Sequence, residues 1–176
     1  VNAEAASVKL AALAVQHLID LGHRRIAEVA GPGDWLEATA RTRGVRRALG
    51  AAGLTVAARW EGDWSAAAGH ALAADVAAAL ARDGVPAAGG VGNAQVALGL
   101  MAGLLAVGFA VPSSVSVVGF DDNPDSAFYL PGLTTVRLDL ASEARRVVAE
   151  VVGSALATDP EHPKLIVRDS ARSVPS

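Results

Sequence analysis

Apolar residues recur at helical spacing in the first part of the chain, and they predict an amphipathic helix that ends at Gly22. The residues that carry this spacing are Leu10, Leu13, Ala14, His17, Leu18 and Leu21. The mostly apolar run 25–30 follows, and it stops at Gly31, Pro32 and Gly33. The chain therefore begins with a predicted helix followed by a short predicted strand.

The same alternation of helices and strands continues along the sequence. Ser65 is a plausible N-cap for one of the later helices, because its side chain can accept a hydrogen bond from the first turn. Glycines at 53, 84 and 108 are suited to end helices. We predict helices over 36–52, 65–84 and 95–107, a weak strand over 55–60, and further strands over 85–91 and 115–120.

The predicted strand over 115–120 is apolar on both faces and runs into Asp121 and Asp122. Near-continuous valine runs of this kind belong to parallel strands that are covered on both sides. Alternation of such strands with helices of about 12–17 residues is typical of βαβ units. We therefore predict an α/β fold, with a doubly wound, mostly parallel sheet and helices on both of its faces.

Polar and aromatic side chains follow several of the predicted strands, at the edge where ligands bind in such sheets. Arg41 lies about two turns into the helix that leaves the first of these loops. Indole rings can stack on the apolar faces of sugars, while carboxylate, amide and guanidinium groups bind their hydroxyls. The residues at this edge are Asp34, Trp35, Asp63, Trp64, Asn93, Asp121, Asp122 and Asn123. Together they indicate a carbohydrate site.

Composition and charge narrow the functional classes further. The net charge of −3 and the pI near 5.8 give no basic excess for nucleic acid, and the arginine-rich run 41–47 is expected to be mostly solvated. The absence of cysteine excludes disulfides, thiol catalysis and thiolate metal sites. No uncharged apolar run of 18 residues occurs. The start at Val1, with neither Met nor a basic leader region, suggests a piece of a longer protein.

Catalytic and cofactor chemistry finds little support in the sequence. Gly90-Val91-Gly92 precedes a predicted helix, but Gln95 stands where a dinucleotide fingerprint needs its third glycine. The four histidines lack metal-ligand spacing. Asp121 and Asp122 leave one alternative open, a small metal-dependent α/β enzyme. We expect no catalytic residue, no cofactor and no metal, and hence a binding protein.

Six segments, spread in order over about 120 residues, resemble the lac repressor/galactose repressor family of transcription factors. They are HLIDLGHRRIA at 17–27, RTRG at 41–44 with AL at 48–49, EGDWSA at 61–66, NAQVALG at 93–99, PSSVSVVGFDD at 112–122 and PGLTTVR at 131–137. The resemblance implies a periplasmic-binding-protein-like effector domain of a cytoplasmic regulator. It also implies that the DNA-binding domain and most of one lobe are absent.

The resemblance divides the chain into three parts. Residues 1–138 are expected to form the C-terminal lobe of the effector domain, and residues 139–158 a crossover helix of the other lobe, with its helical part at 142–156. Residues 159–176 are expected to form a return strand and tail. The implied function is sensing a carbohydrate or related small effector and forming a homodimer. DNA would be bound only through the helix-turn-helix domain, and no membrane is involved.

The resemblance also assigns roles to residues. Arg41, Asn93 and Asp121 match positions that hydrogen-bond sugar hydroxyls, and Trp64 matches the aromatic residue that stacks on the sugar, with Trp35 as a further lining residue. The alternatives are a packed rim residue for Trp64, a helix-surface ion pair for Arg41 and capping of the following turn for Asp121.

The sequence departs from the family pattern at several places, among them His70, where an aromatic residue is common, and Gly132, where a second Pro is usual. Ala94 replaces the usual Asp, which would weaken sugar affinity, and the pair Gly89 and Gly90 replaces bulky residues, which would loosen that strand.

The helix predicted over 95–107 is apolar around much of its circumference, and in the resembled family it helps to form the dimer interface. The candidate interface residues are Leu98, Met101, Leu104 and Leu105. A lobe of a sugar-transport binding protein shares the expected fold and stays an alternative to the regulator. The sequence names neither the sugar nor the operator.

Overall fold

The computed structural model describes residues 3–81, 87–138, 145, 148–149, 151–152 and 163–175. The described residues form helices and strands in alternation. In chain order these are α1 (Ala3–Asp20), β1 (Arg25–Ala30), α2 (Leu36–Ala51), β2 (Arg59–Glu61), α3 (Ala66–Ala81), β3 (Ala87–Val91), α4 (Ala94–Ala106), β4 (Val115–Phe120), a 3₁₀ helix (Pro124–Phe128), β5 (Thr134–Arg137) and β6 (Lys164–Ile166).

The strands form one sheet in the order β2-β1-β3-β4-β5-β6. Every neighbouring pair is parallel except β5 and β6, which run antiparallel. Helices α1 and α2 pack on one face, against Ile26, Val118 and Phe120, and helices α3 and α4 pack on the other, against Val29 and Val117. The predicted doubly wound, mostly parallel sheet with helices on both faces is confirmed.

Local sequence signals set the ends of the helices. Ser65 caps α3 as predicted, since its Oγ accepts a hydrogen bond of 3.1 Å from the backbone N–H of Ala68. Gly22 follows α1 with a φ of +92°, in the left-handed region that favours glycine. Asn93 caps α4 through a 2.8 Å bond from Val96 N–H to its Oδ1, and this cap moves the start of the helix to Ala94.

Glycines let the two helices on each face approach one another closely. A Cβ atom placed on Gly99 of α4 would lie 1.7 Å from the carbonyl oxygen of Ala66 in α3, and one on Gly69 of α3 would lie 2.2 Å from that of Val96. On the opposite face, a Cβ on Gly44 of α2 would lie 2.3 Å from the carbonyl oxygen of Val8 in α1. The backbones themselves are therefore in contact, which suits a chain rich in small residues.

The segment after β6 ties the sheet together. Ser170 is buried, and its Oγ donates to the carbonyl oxygen of Val117 at 2.6 Å and accepts from Thr134 N–H at 2.8 Å. Further along, Val174 N–H donates to the carbonyl oxygen of Leu21 at 2.9 Å. The hydrogen bonds of this segment thus join β4, β5 and the end of α1.

The limits of some predicted elements differ from the structure. The strand predicted over 55–60 is wrong in its extent, because only Arg59–Glu61 pairs as β2. The predicted ends at Gly84 and at residues 85–86 lie outside the described residues. Of the helix predicted over 142–156, the described residues 145, 148–149 and 151–152 are helical, and the others lie outside the description. The division of the chain at residues 138 and 158 stays a prediction.

Within the described residues, no helix is both long enough and apolar enough to cross a membrane.

Candidate ligand-binding site at the carboxyl end of the sheet

Arg41 is the centre of a cluster that several loops build at the carboxyl ends of the strands. The residue projects from α2 and is 9% exposed. Its Nη2 donates to Oδ1 of Asp121, after β4, at 3.1 Å, and its Nη1 donates to the carbonyl oxygen of Gly92, after β3. The arginine thus links two loops that are remote in sequence, through a largely buried ion pair rather than one on the helix surface.

Two aromatic rings flank the guanidinium of Arg41. Its Cζ atom lies 5.5 Å from the ring centroid of Trp64 and 5.1 Å from that of Phe120. Both distances are within the range of cation–π attraction. The rings and Asp121 therefore hold the charged group in a fixed orientation.

Trp64 lies across the ends of β1 and β3 because two glycines leave room for its indole. A Cβ atom at Gly31 would lie 2.1 Å from the indole ring, and one at Gly92 would lie 2.9 Å from it. Trp35 meets Trp64 edge-on, with 6.0 Å between the ring centroids and 64° between the planes. Trp35 is 53% exposed, so the aromatic pair joins the buried cluster to the open surface.

Three residues other than glycine have a left-handed backbone in the described chain, and all three lie at this edge of the sheet. They are Trp64 with a φ of +73°, Asp121 with +79° and Asp122 with +47°. Such conformations are costly for residues with side chains and concentrate at functional sites. Their location supports the edge as the site.

Asn93 has both halves of its side chain engaged within the chain. Its Oδ1 caps α4, and its Nδ2 donates to the backbone carbonyl oxygen of Trp64 at 3.0 Å. It fixes the loop that carries Trp64, a structural role that is additional to the predicted contact with a ligand. The sequence shows no feature that distinguishes this role from direct ligand binding.

The environments of Asp121 and Asp63 shift their pKa values in opposite directions. Burial raises the pKa of Asp121, although the nearby Arg41 charge lowers it in part, and the Glu37 charge raises it. Asp63 is fully exposed, and hydrogen bonds from Ser65 Oγ at 2.5 Å and Ser65 N–H at 2.9 Å lower its pKa. Asp63 therefore orders the turn before α3, whereas Asp121 carries a largely buried negative charge that Arg41 compensates.

The side chain of Asp122 forms ion pairs with two arginines. Its Oδ2 lies 2.6 Å from Nη2 of Arg137, and its Oδ1 lies 2.8 Å from Nη1 of Arg168. Its side chain is only 3% exposed. In the part of the chain that the structure describes, no group of three potential metal-ligating side chains occurs. The ion pairs leave Asp122 little freedom to ligate a metal beside Asp121.

Glu28 is a residue of this edge that the sequence analysis did not single out. It lies in the middle of β1 and is 4% exposed. Thr42 Oγ1 donates to its Oε1 at 2.7 Å, and Nε of Arg59 lies 3.5 Å from its Oε2. The available signal was a single acidic residue inside a mostly apolar strand.

The four candidate interface residues of α4 divide into two pairs. Leu98 is 40% and Leu105 65% exposed, whereas Met101 is 4% and Leu104 0% exposed within this chain. A partner surface can therefore reach mainly Leu98 and Leu105. Two apolar side chains that the sequence analysis missed are more exposed still, Phe128 at 82% and Leu130 at 92%.

Known proteins match this chain over most of its length. A family model described as a periplasmic binding protein-like domain matches residues 15–174. The lactose operon repressor of Escherichia coli (strain K12) is 40% identical over 127 residues, which are 72% of this chain and 34% of that protein. The HTH-type transcriptional repressor PurR of Pasteurella multocida (strain Pm70) is 32% identical over 171 residues, 92% of this chain and 50% of that protein. The chain thus spans between a third and a half of the length of these relatives.

Solved structures match the fold closely. A dimeric lac repressor with an 11-residue C-terminal deletion superposes with a TM-score of 0.82 and 33% identity, over 95% of this chain and 62% of that chain. A sugar-binding transcriptional regulator from Escherichia coli in complex with phosphate gives 0.83 and 29%, over 96% and 62%. The complex of the transcriptional regulator CelR with cellobiose gives 0.79 and 29%, over 94% and 52%.

Proposed function

Because this chain belongs to the periplasmic-binding-protein-like effector domains of the lac repressor/galactose repressor family, we propose that it is the sugar-sensing and dimerisation portion of a transcriptional regulator. Neither a transport binding protein nor a metal-dependent enzyme is favoured by the matches, which name transcriptional repressors and regulators. The regulator would act in the cytoplasm, where its DNA lies.

The observation that carries the proposal is the cluster around Arg41 at the carboxyl end of the sheet. It combines a fixed guanidinium, the carboxylate of Asp121 and the paired rings of Trp35 and Trp64 at one edge. Sugars present hydroxyls to the charged groups and apolar ring faces to indoles. Two of the related structures are a sugar-binding regulator and a regulator in complex with cellobiose, which supports a carbohydrate as the effector class.

The effector would act by shifting a population of conformations. A sugar that binds one arrangement of the effector domain more tightly than another favours that arrangement by the difference in binding free energy. In the proposed regulator this difference alters DNA binding by a helix-turn-helix domain, so sugar and DNA affinities are linked reciprocally. Arg41 suits such coupling because it connects α2 with two loops that are remote in sequence.

Titration calorimetry with a panel of mono- and disaccharides tests the sugar site. We expect saturable binding by at least one sugar and a loss of about tenfold or more in affinity for Asp121→Asn, because a hydrogen bond to a charged group is worth roughly 1.5–3 kcal/mol. Trp64→Ala is expected to abolish binding, since it removes the indole ring that both stacks on the sugar and flanks Arg41.

Asp125→Asn is the matched control for this experiment. Asp125 is an exposed carboxylate four residues further along the same loop region, in the 3₁₀ helix, and its substitution should leave sugar affinity unchanged. Equal affinity of wild type, Asp121→Asn and Trp64→Ala for a sugar would show that the site has been assigned wrongly. Because the chain spans between a third and a half of the length of its relatives, failure of a folded chain to bind any sugar of the panel would contradict a sugar site formed by this chain alone.

We also propose that the chain forms a homodimer through exposed apolar side chains of α4. Leu98 and Leu105 are the two exposed members of the candidate set, and Phe128 and Leu130 extend the apolar exposure. Tyr129, between these two residues, belongs to the same hydrophobic cluster as Leu100 and Leu104 of α4. Large exposed apolar side chains at one place are a feature of protein interfaces.

Sedimentation velocity tests the dimer. The wild-type chain should sediment as a dimer, and a variant with both Leu98→Glu and Leu105→Glu should be monomeric, because the two carboxylates would be desolvated in the interface. Val167→Glu is the control, since Val167 has a similar exposure of 62% but follows β6. A double glutamate variant that remains dimeric would exclude this face of α4 from the interface.

A further inference from the structure

A small cavity adjoins the Arg41 cluster and reaches the middle strands of the sheet. Its volume is about 10 Å³, which is room for roughly one water-sized group. The residues that line it include Glu28 of β1, Gly90 of β3, Phe120 of β4, Arg41 and Trp64. Since Arg41 and Trp64 also form the candidate sugar site, the cavity continues that site into the sheet.

Three of these lining residues each carry a buried polar atom that makes no hydrogen bond within the described part of the chain. The atoms are Nε of Arg41, Nε1 of Trp64 and Oε2 of Glu28. The approach of Arg59 to Glu28 Oε2, at 3.5 Å, is an ion-pair contact without hydrogen-bond geometry. Buried polar atoms are rarely left without partners, because such an atom has lost its hydrogen bonds to water and gained none in return.

The three atoms have the complementary pattern of one hydroxyl group. Arg41 Nε and Trp64 Nε1 are donors, and a Glu28 carboxylate oxygen is an acceptor. A hydroxyl offers two acceptor lone pairs and one donor hydrogen, which is the number of donors and acceptors that these three atoms require. A cation would face two N–H donors, and a carboxylate or phosphate group would face Glu28.

Gly90 provides the space for such a group. A Cβ atom at Gly90 would meet no atom within 4 Å, although the residue itself is buried in a central strand. A Cβ atom at Gly89 would also meet no atom within 4 Å. Because Gly89 is adjacent to Gly90 in the strand, it faces the other side of the sheet, and it does not line this cavity. The glycine pair therefore creates space on both faces, and only the space at Gly90 adjoins the polar atoms.

Building on the proposed sugar-binding function, we propose that this cavity is a hydroxyl-binding subsite of the effector site. One alcohol group of the sugar accepts hydrogen bonds from Arg41 Nε and Trp64 Nε1 and donates one to Glu28 Oε2. A water molecule takes the same position when no effector is bound. The subsite selects effectors by the presence and direction of that hydroxyl, because an analogue without it cannot itself make the three hydrogen bonds.

Thermal unfolding without any sugar tests whether the cavity holds an O–H group. The variants are Gly90→Ala, whose methyl group fills the cavity, and Gly89→Ala as the matched control on the opposite face. Replacing a strand glycine by alanine should raise the Tm of Gly89→Ala by about 1–4 °C. Gly90→Ala should instead have a Tm at or below that of wild type, since its methyl group displaces the O–H group. An equal rise for both variants would overturn the proposal, because it would show a dry cavity.

Calorimetry with the tightest-binding sugar of the panel and its monodeoxy analogues tests the assignment to the effector. Gly90→Ala should bind the parent sugar with an affinity about tenfold or more below that of wild type. One monodeoxy analogue should bind wild type and Gly90→Ala with equal, reduced affinity, and Gly89→Ala should bind every sugar like wild type. If Gly90→Ala binds the parent sugar with the same affinity as wild type, the proposed subsite is overturned. The cavity would then be a site for water alone. Failure of every sugar to bind wild type would instead contradict the proposed sugar site of this chain, while the Tm comparison would still decide whether the cavity holds an O–H group.

Discussion

Replacing Gly99 by alanine should lower the free energy of unfolding by about 3 kcal/mol or more, and the Tm by about 6–12 °C. The added methyl group would lie 1.7 Å from the carbonyl oxygen of Ala66, so α3 and α4 must move apart. That movement would disturb the packing of Leu100 and Leu104, which are almost completely buried. Thermal and urea-induced unfolding followed by circular dichroism would measure the loss.

Gly50→Ala is the control for this substitution. Gly50 also lies within a helix, α2, but it is exposed, and a Cβ atom there meets nothing within 4 Å. This change should stabilise the chain by about 0.5–1 kcal/mol, because alanine loses less backbone freedom than glycine. A Gly99→Ala variant with wild-type stability would mean that the two helix backbones are not in contact.

The order of elements and the class of the sheet could be predicted from local patterns. The run over 115–120 is apolar at nearly every position, and β4 is buried throughout its length. Ser65 and Gly22 have the predicted capping roles because capping depends on residues only a few positions apart. The short strand β2 was not delimited, because its three residues are partly exposed and carry no hydrophobic pattern.

The outward face of α4 could not be predicted from periodicity. Leu98, Met101, Leu104 and Leu105 lie on a helix that is apolar around much of its circumference, so the sequence alone does not show which side meets the sheet. The structure decides this through Gly99 and Gly103, which turn one face of α4 toward α3. Leu98 and Leu105 are left exposed as a consequence.

The candidate site was predicted as a set of positions, and the contacts among them were not. The rule that ligands bind beyond the carboxyl ends of parallel strands placed Arg41, Trp64 and Asp121 at one edge. Their ion pair and ring contacts join residues up to 80 positions apart in sequence, which no local pattern specifies. Glu28 could not be predicted either, because its partners Thr42 and Arg59 belong to other elements and no local pattern specifies these contacts.

Arg41→Met should destabilise the chain by about 2–4 kcal/mol at pH 7, because it leaves the charge of Asp121 largely buried without its partner. The Arg41 side chain is 11% and the Asp121 side chain 26% exposed, so the expected loss is somewhat below that of a fully buried pair. Methionine keeps much of the apolar contact with Trp64 and Phe120, which confines the change mainly to the charge. Urea-induced unfolding at several pH values would measure it.

The pH dependence and a double variant separate the charge from the packing. The pKa of Asp121 is already raised by burial, and without Arg41 it rises further. A carboxyl group with a raised pKa in the folded state costs stability when ionised, and this cost disappears as the pH falls through the raised pKa toward the ordinary value of 3.8. The loss of stability in Arg41→Met should therefore shrink on acidification.

The double variant with both Arg41→Met and Asp121→Asn should recover most of the stability at pH 7, because asparagine carries no charge and tolerates the left-handed backbone at this position. A loss that neither acid nor the second substitution relieves would place the contribution of Arg41 in its hydrogen bond to Gly92 and its contacts with the two rings.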